Sequence, residues 1–454
     1  MISEREREGL ILEEKHTLPI IGEMFTSMFL QRIKGVLSAP AIIRTSPEQY
    51  DAVKLQLTGM GISIRREMRL FNMMAFDIPA SIVNEVAGIT GVMKVYYDQD
   101  VGVPEFPMSY SEVVPSTLLD LVDTEMIQSR LNMRAKIMGE DRLEGVVPTS
   151  MSRKMVEADL ADSMGISGKG VKIAIIDTGV SRYNSQTAGI PLKTMTREKK
   201  DSSGHGSHTT STAVGSEATH KGLICLGVAP GAKNSAIHIK ALSTPIGMGK
   251  SSDIIKAMEY AYLNGCKVVS MSLGSSECQS TESDCLGCPT CEVVKTLTDA
   301  GMIVVVANGN SGPDENTVGC PACSPHALSV GAIDINGELA DFSSRGPTFD
   351  GRVKPDVVAP GVSIYSGTSF GSFCDMLDKR PDGHVSISGT SMSTPHVAGL
   401  VCLIVELFNK NGYDITTEDI KSIMEKNADY IKDNSIGWGL IKFSVFKNVL
   451  EEQT

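Results

Sequence analysis

The chain has 454 residues, 41% hydrophobic, 5% aromatic and 21% charged, which is enough for a catalytic-sized domain and a smaller companion. A formal net charge of -12 argues against nucleic acid or an anionic membrane as a partner. No internal repeat or low-complexity tract is visible.

The chain opens with charges of both signs from Glu4 to Glu8, and the apolar stretch Leu18 to Leu30 is short and broken by Glu23. Neither a signal peptide nor a membrane span fits this start, so a cytoplasmic protein is expected. Residues 1–35 read as an extension. Residues 36–101 read as strand Ala41 to Arg44, helix Pro47 to Leu57, strands Ile62 to Leu70 and Met73 to Ile78, helix Ala80 to Ala87 and strand Val92 to Tyr97. This β-α-β-β-α-β order is that of small ferredoxin-like α+β domains. Residues 102–146 follow as a linker or extension, with a helix-like run from Ser116 to Ile137.

From residue 147 onward, buried strands alternate with helices. Lys172-Ile-Ala-Ile-Ile-Asp-Thr-Gly reads as a fully buried strand that ends in Asp177, the edge where ligand sites of parallel sheets collect. Gly204-His-Gly-Ser-His places His205 between two glycines just ahead of a small-residue helix, which predicts an exposed histidine at a tight approach, with His208 structural. Two cysteine bursts follow, Cys285-Leu-Gly-Cys288-Pro-Thr-Cys291 and Cys320-Pro-Ala-Cys323, with Cys278 nearby. Their spacing allows disulfides, a four-thiolate zinc site or free thiols, and the triple run resembles iron-sulfur ligation faintly. Met302-Ile-Val-Val-Val-Ala-Asn-Gly-Asn-Ser-Gly is a buried strand that ends in a polar loop. Ser388-Gly-Thr-Ser-Met-Ser-Thr-Pro-His-Val-Ala-Gly then sets Ser391 at the start of an apolar helix, whose unpaired N–H groups favour negative charge.

An order of Asp177, His205 and Ser391 on alternating strands and helices resembles the subtilisin-like serine proteases, the subtilases, over about residues 147–445. Gly227-Val-Ala-Pro and Lys354-Pro-Asp-Val-Val-Ala-Pro-Gly strengthen the resemblance. It implies a parallel sheet flanked by helices in a catalytic domain at 147–454, and a self-processing zymogen in which residues 36–101 are a propeptide that inhibits the enzyme. The cut would fall near Phe106 or Met108, and residues 102–146 would stay as an extension or be trimmed later. The resemblance makes Asp177, His205 and Ser391 the catalytic triad of a serine endopeptidase, with Asn310, rather than Asn308, as oxyanion donor. Ser272, Leu273 and Gly274 with Gly247 and Gly249 would offer backbone edges to an extended peptide. Gly319 would floor a pocket for a large uncharged side chain, since the nearby Ser311 brings no charge. Both cysteine bursts would meet near that pocket.

Catalysis of this kind needs no cofactor, and Val214 to Leu226 is too poor in oxygen ligands for a strong calcium site. Asp177-Thr-Gly is also an aspartic-protease signature, but that chemistry needs two such aspartates and the chain has a single Asp-Thr-Gly. The alternative from another class is a catalytically silent subtilase-fold binding or regulatory protein, which loss of a triad residue would favour. None is lost. The N-terminal domain has its own alternative, an unrelated regulatory module on a common fold.

Overall fold

Strand β1 (Ser38–Thr45) is apolar on both faces, and its burial divides accordingly: Ala41 and Ile43 pack into one core and Ile42 into another. The computed structural model describes residues 38–79, 82–104, 145–275, 285, 287–377, 382–428 and 431–452. After β1 come α1 (Tyr50–Gly59), β2 (Ile64–Met68), β3 (Met73–Pro79), α2 (Val83–Ala87) and β4 (Val92–Tyr97). The strands form an antiparallel sheet in the order β2-β3-β1-β4, and the expected β-α-β-β-α-β order is present. Val53, Leu57 and Val86 from the helices seal one face with Ile43, Phe76 and Val95. Boundaries differ for local reasons. Pro47 opens a 3-10 turn rather than an α-helix, and the strand expected up to Leu70 stops at Met68, where a 3-10 turn leads to left-handed Asn72.

The short strand β5 (Asp100–Gly102) follows, and the helix-like run expected over 116–137 lies outside the described residues. The larger unit begins with β6 (Val147–Pro148), α3 (Thr149–Met155) and α4 (Ala158–Ser163). It continues through β7 (Ile173–Asp177), β8 (Leu192–Thr194), α5 (His205–Val214), β9 (Ala218–His220), β10 (Leu223–Cys225), β11 (Ala236–Lys240), β12 (Met248–Lys250), α6 (Ser251–Leu263) and β13 (Val268–Met271). Next come α7 (Pro289–Asp299), β14 (Ile303–Ala307), β15 (Leu328–Ile333), β16 (Val357–Pro360), β17 (Ile364–Gly367), β18 (His384–Ile387), α8 (Thr390–Lys410), α9 (Thr417–Asn427) and α10 (Phe443–Glu452).

Seven strands form an all-parallel sheet in the order β16-β15-β14-β13-β7-β11-β8. Its central strands β7 and β14 are nearly continuous apolar runs because both faces are covered. Ala174, Ile176, Val304 and Val306 pack toward α6 and α7, while Ile173, Ile175, Ile303 and Val305 pack toward α8 and α10. Among the described residues α8 alone is long and apolar enough to cross a membrane, yet that apolar window is entirely buried, as in a core helix.

The second face of the N-terminal sheet, including Ile42, Met73, Ala75 and Tyr96, joins the core on the α6–α7 side of the large sheet. Polar clasps surround this apolar contact. Arg66 pairs with Asp253 at 2.7 Å, Lys256 donates to Glu67 O at 2.6 Å, and Leu70 N donates to Glu259 at 2.7 Å. Buried Glu292 of α7 takes both Arg44 and the Tyr96 hydroxyl. Asp98 is fully buried and caps α6, accepting from Ser252 N at 2.9 Å and Ser252 Oγ at 2.7 Å.

Candidate active site

Strand β7 ends on Asp177, whose Oδ1 lies 2.8 Å from His205 Nδ1. Thr178 N also donates to Oδ1 at 2.7 Å, and Thr209 Oγ1 donates to Oδ2 at 3.1 Å. Full burial alone would raise the Asp177 pKa. The charge and hydrogen bond of His205, then His238 and the Thr178 N–H, outweigh it and hold the carboxyl below its ordinary value.

His205 occupies the first position of α5 and is buried, not exposed as expected from its glycines. Those glycines serve close packing. A Cβ on Gly206 would lie 2.3 Å from Gly179 O, and Gly204 takes φ +83° with its Cβ position 2.1 Å from Ser372 Oγ. His208 is structural, as expected: Nε2 lies 3.0 Å from Ile364 O, and burial pushes its pKa down to about 3.

Gly389 turns the chain into α8, so that Ser391 stands in the helix's first turn, 2% exposed. Its Oγ lies 3.4 Å from Ser272 O, and Ser272 Oγ returns a 2.8 Å bond to Ser391 O. Asn310 is brought to the same helix start: its Oδ1 accepts from Thr390 N and Thr390 Oγ1, each at 2.9 Å. That contact fixes the amide plane and leaves Nδ2 on the Gly389 side, 3.1 Å from where a Cβ of Gly389 would sit. Asn308 is employed elsewhere, donating to Ser344 O at 2.7 Å in full burial.

Strand β5 lies antiparallel to β12, with Gly102 opposite Met248 and Val101 opposite Gly249. On its other side Gly102 exchanges two 2.9 Å hydrogen bonds with Gly274, and Val103 N donates to Gly247 O at 3.0 Å. The edges offered by Gly247, Gly249 and Gly274 are therefore occupied by the chain's own residues 100–103. Leu273 is buried beneath this ribbon. Gly319 exists for a close backbone approach, since its Cβ would lie 2.6 Å from Ser275 O, and Cys320 pairs with Ser275 in both directions.

The profile of the subtilase family matches residues 168–439. The chain belongs to this family. It is 31% identical over 346 residues to serine protease AprX of Bacillus subtilis, covering 71% of this chain and 74% of that one. Subtilisin Savinase of Lederbergia lenta is 35% identical over 263 residues, 57% of this chain and 84% of its own. M-protease of Shouchella clausii is 34% identical over 263 residues, 57% and 59% of the two chains. This subtilase is a serine endopeptidase acting on protein or peptide substrates, and its catalysis needs no cofactor.

Around Asp177 and His205 the subtilase carries a buried network that the motifs did not announce. Asp201 accepts from Thr178 Oγ1, Gly204 N, Ser207 N and Ser207 Oγ at 2.6 to 3.0 Å, tying the loop before α5 to β7. His238 accepts from Gly179 N at 3.1 Å and contacts Thr210 Oγ1 at 2.9 Å, bracing the same turn. Asp201 lies three residues before the N-cap Gly204, outside the pattern that marks a helix start in sequence, so only the folded loop brings it there. Val214 to Leu226 forms the end of α5 and the β9–β10 hairpin.

The two cysteine bursts converge. Cys288 lies 2.8 Å from Cys320, Cys291 lies 3.2 Å from Cys320 and 3.8 Å from Cys323, and Cys285 lies 3.2 Å from Cys323, all between Sγ atoms. Cys225, Cys266, Cys374 and Cys402 belong to neither burst, and Cys278 lies outside the described residues.

Proposed function

We propose that this subtilase is a self-processing zymogen in which Asp177, His205 and Ser391 form the catalytic triad. His205 Nε2 takes the Ser391 proton as Oγ attacks the substrate carbonyl, then returns it to the leaving amine. Asp177 holds the imidazole through Nδ1 and stabilises its charged form. The Asn310 amide and the Ser391 backbone N–H receive the oxyanion at the start of α8, where the helix dipole adds to them. Ser272 to Gly274, with Gly247 and Gly249, pair with the backbone of an extended peptide, and the pocket beside Gly319 takes a large uncharged side chain. A metal at the convergent cysteines belongs to the architecture of this groove and not to the chemistry.

The observation that carries the zymogen reading is β5, seated between β12 and Gly274 at the C-terminal edge of the docked N-terminal sheet. Residues 36–101, with the strand that continues them, act as the inhibitor. Antiparallel register carries Pro104 opposite Ser272, and Ser272 touches Ser391. The self-cut therefore falls beyond Pro104, in the segment where the expected cut near Phe106 or Met108 lies outside the described residues. The test is Ser391→Ala: the chain should stay full length and hydrolyse no peptide, while the parent yields a new N-terminus beyond residue 104. Processing or turnover by the variant would falsify the assignment.

A further inference from the structure

We infer that the two Cys-Pro-x-Cys knuckles, Cys288-Pro-Thr-Cys291 and Cys320-Pro-Ala-Cys323, together hold one zinc ion that braces the substrate-binding strand. The inference deepens the architectural role given to the metal above and rests on that reading. All four cysteines are at most 5% exposed, and they come from two segments with no backbone reason to press their side chains together. Buried thiols 2.8 to 3.8 Å apart crowd closer than the mere filling of a core requires. A shared cation explains the crowding. Zinc–sulfur bonds of about 2.3 Å set tetrahedral edges near 3.8 Å, which small side-chain rotations reach from these positions. Thiols lie within 4.8 Å of one another in two groups, Cys285/Cys291/Cys323 and Cys288/Cys291/Cys320, which share Cys291 and between them include all four knuckle sulfurs.

The surroundings suit an anionic thiolate centre. Cys288 is the N-cap of the eleven-residue helix α7, and Cys291 lies in its first turn, where unpaired N–H groups favour negative ligands. Arg352 brings a guanidinium alongside, donating Nη1 to Cys323 O at 2.6 Å. Isolated Cys225 and Cys266, by contrast, are pushed up to about 11 by burial and remain neutral thiols. Cys291 joins the two knuckles because it touches both Cys320 and Cys323, whereas Cys285 touches Cys323 from outside the Cys-Pro-x-Cys pattern. On binding, four Zn–S bonds form and the thiol protons pass to solvent.

The consequence for the groove runs through Cys320. Its backbone pairs in both directions with Ser275, the residue after Gly274, and Gly319 N donates to Asn308 O at 3.1 Å. The ion thus ties α7 to the segment that supports the substrate-pairing strand. Losing it should raise KM for an extended peptide about tenfold and leave kcat nearly unchanged.

The full-length chain, purified with zinc and desalted, should carry one zinc per chain by elemental mass spectrometry. Cobalt substitution should produce thiolate-to-cobalt charge-transfer absorption. Cys291→Ser and Cys320→Ser should lose the ion, and Cys285→Ser should keep it. Two disulfides, Cys285–Cys323 and Cys288–Cys320, would give the reverse pattern, surviving Cys291→Ser and losing one bond in Cys285→Ser. Should the serine variants fail to fold, mercurial titration of the parent must release its zinc as four thiols react. Zinc retained by Cys291→Ser, cross-linked peptides, or alkylation of all five thiols in zinc-free protein would overturn the proposal. These readouts do not depend on turnover, so they fail separately from the triad assignment.

Discussion

Asp98→Ala tests how the N-terminal domain is held. Asp98 is fully buried and accepts two short hydrogen bonds from the first turn of α6, from Ser252 N and Ser252 Oγ. Losing a helix cap costs about 1 kcal/mol, and a hydrogen bond to a charged group is worth about 1.5 to 3 kcal/mol. Arg65 shares the carboxylate, but its side chain is one-third exposed and adds at most about 1 kcal/mol. These contributions overlap, so docking should weaken by about 3 kcal/mol, roughly a hundredfold in the inhibition constant. The apolar contact of Ile42, Met73 and Tyr96 with the α6 side is untouched, so binding should persist, only weaker. The assay titrates processed enzyme with a polypeptide of residues 36–104, parent against variant, using hydrolysis of a peptide substrate. Asp98→Asn keeps an acceptor for Ser252 N and should recover about half of the loss. Inhibition constants within about threefold of each other would refute the cap as an anchor, and no inhibition by the parent would remove the inhibitor reading itself.

What was legible in the sequence is what short segments decide for themselves. Ile173 to Asp177 is apolar at every position up to its final carboxylate, so strand, burial on both faces and the placing of Asp177 at the edge follow together. The helix after Ser391 was legible from its apolar run, and the N-terminal domain from its alternation of strands and helices. What escaped depends on partners far along the chain. Glu292 looks like a surface residue of α7 until Arg44 and Tyr96 arrive from a strand pair some two hundred residues earlier. Gly319 reads in the sequence only as room for a side chain, and the close approach of Ser275 O to its missing Cβ depends on a partner that its own segment does not name. His205 was misjudged for the same reason: flanking glycines signal close backbone packing as readily as exposure. The cysteine bursts were visible as spacing, while their meeting followed from family resemblance and not from the residues themselves.

Two further outcomes are expected. Asn310→Ala should lower kcat with little change in KM, because the Thr390-fixed amide donates to an oxyanion present only in the transition state; in a subtilisin, removing such a donor costs about 100- to 1,000-fold. A rise in KM alone would refute that role. The fold should also weaken in mild acid. Burial pushes His208 and His238 down to about 3 and His396 to about 4. These residues are neutral when folded, but would take up protons near pH 6.5 if the chain unfolded. Because their folded pKa values are depressed, the stability they supply is complete above about pH 6.5 and is lost as pH falls toward 4. The slope is up to about 1.4 kcal/mol per pH unit for each. Buried Asp356 would act in the same direction only at lower pH and adds nothing in that window. Burial alone would raise its pKa, but Lys354, Lys421 and Lys432 hold it well below the ordinary carboxylate range, so it stays ionised throughout. Urea unfolding of the Ser391→Ala chain, free of self-digestion, should show a loss of several kcal/mol between pH 7 and pH 5. A midpoint unchanged between pH 7 and 5 would mean that these histidines do not enter the folded state neutral and buried.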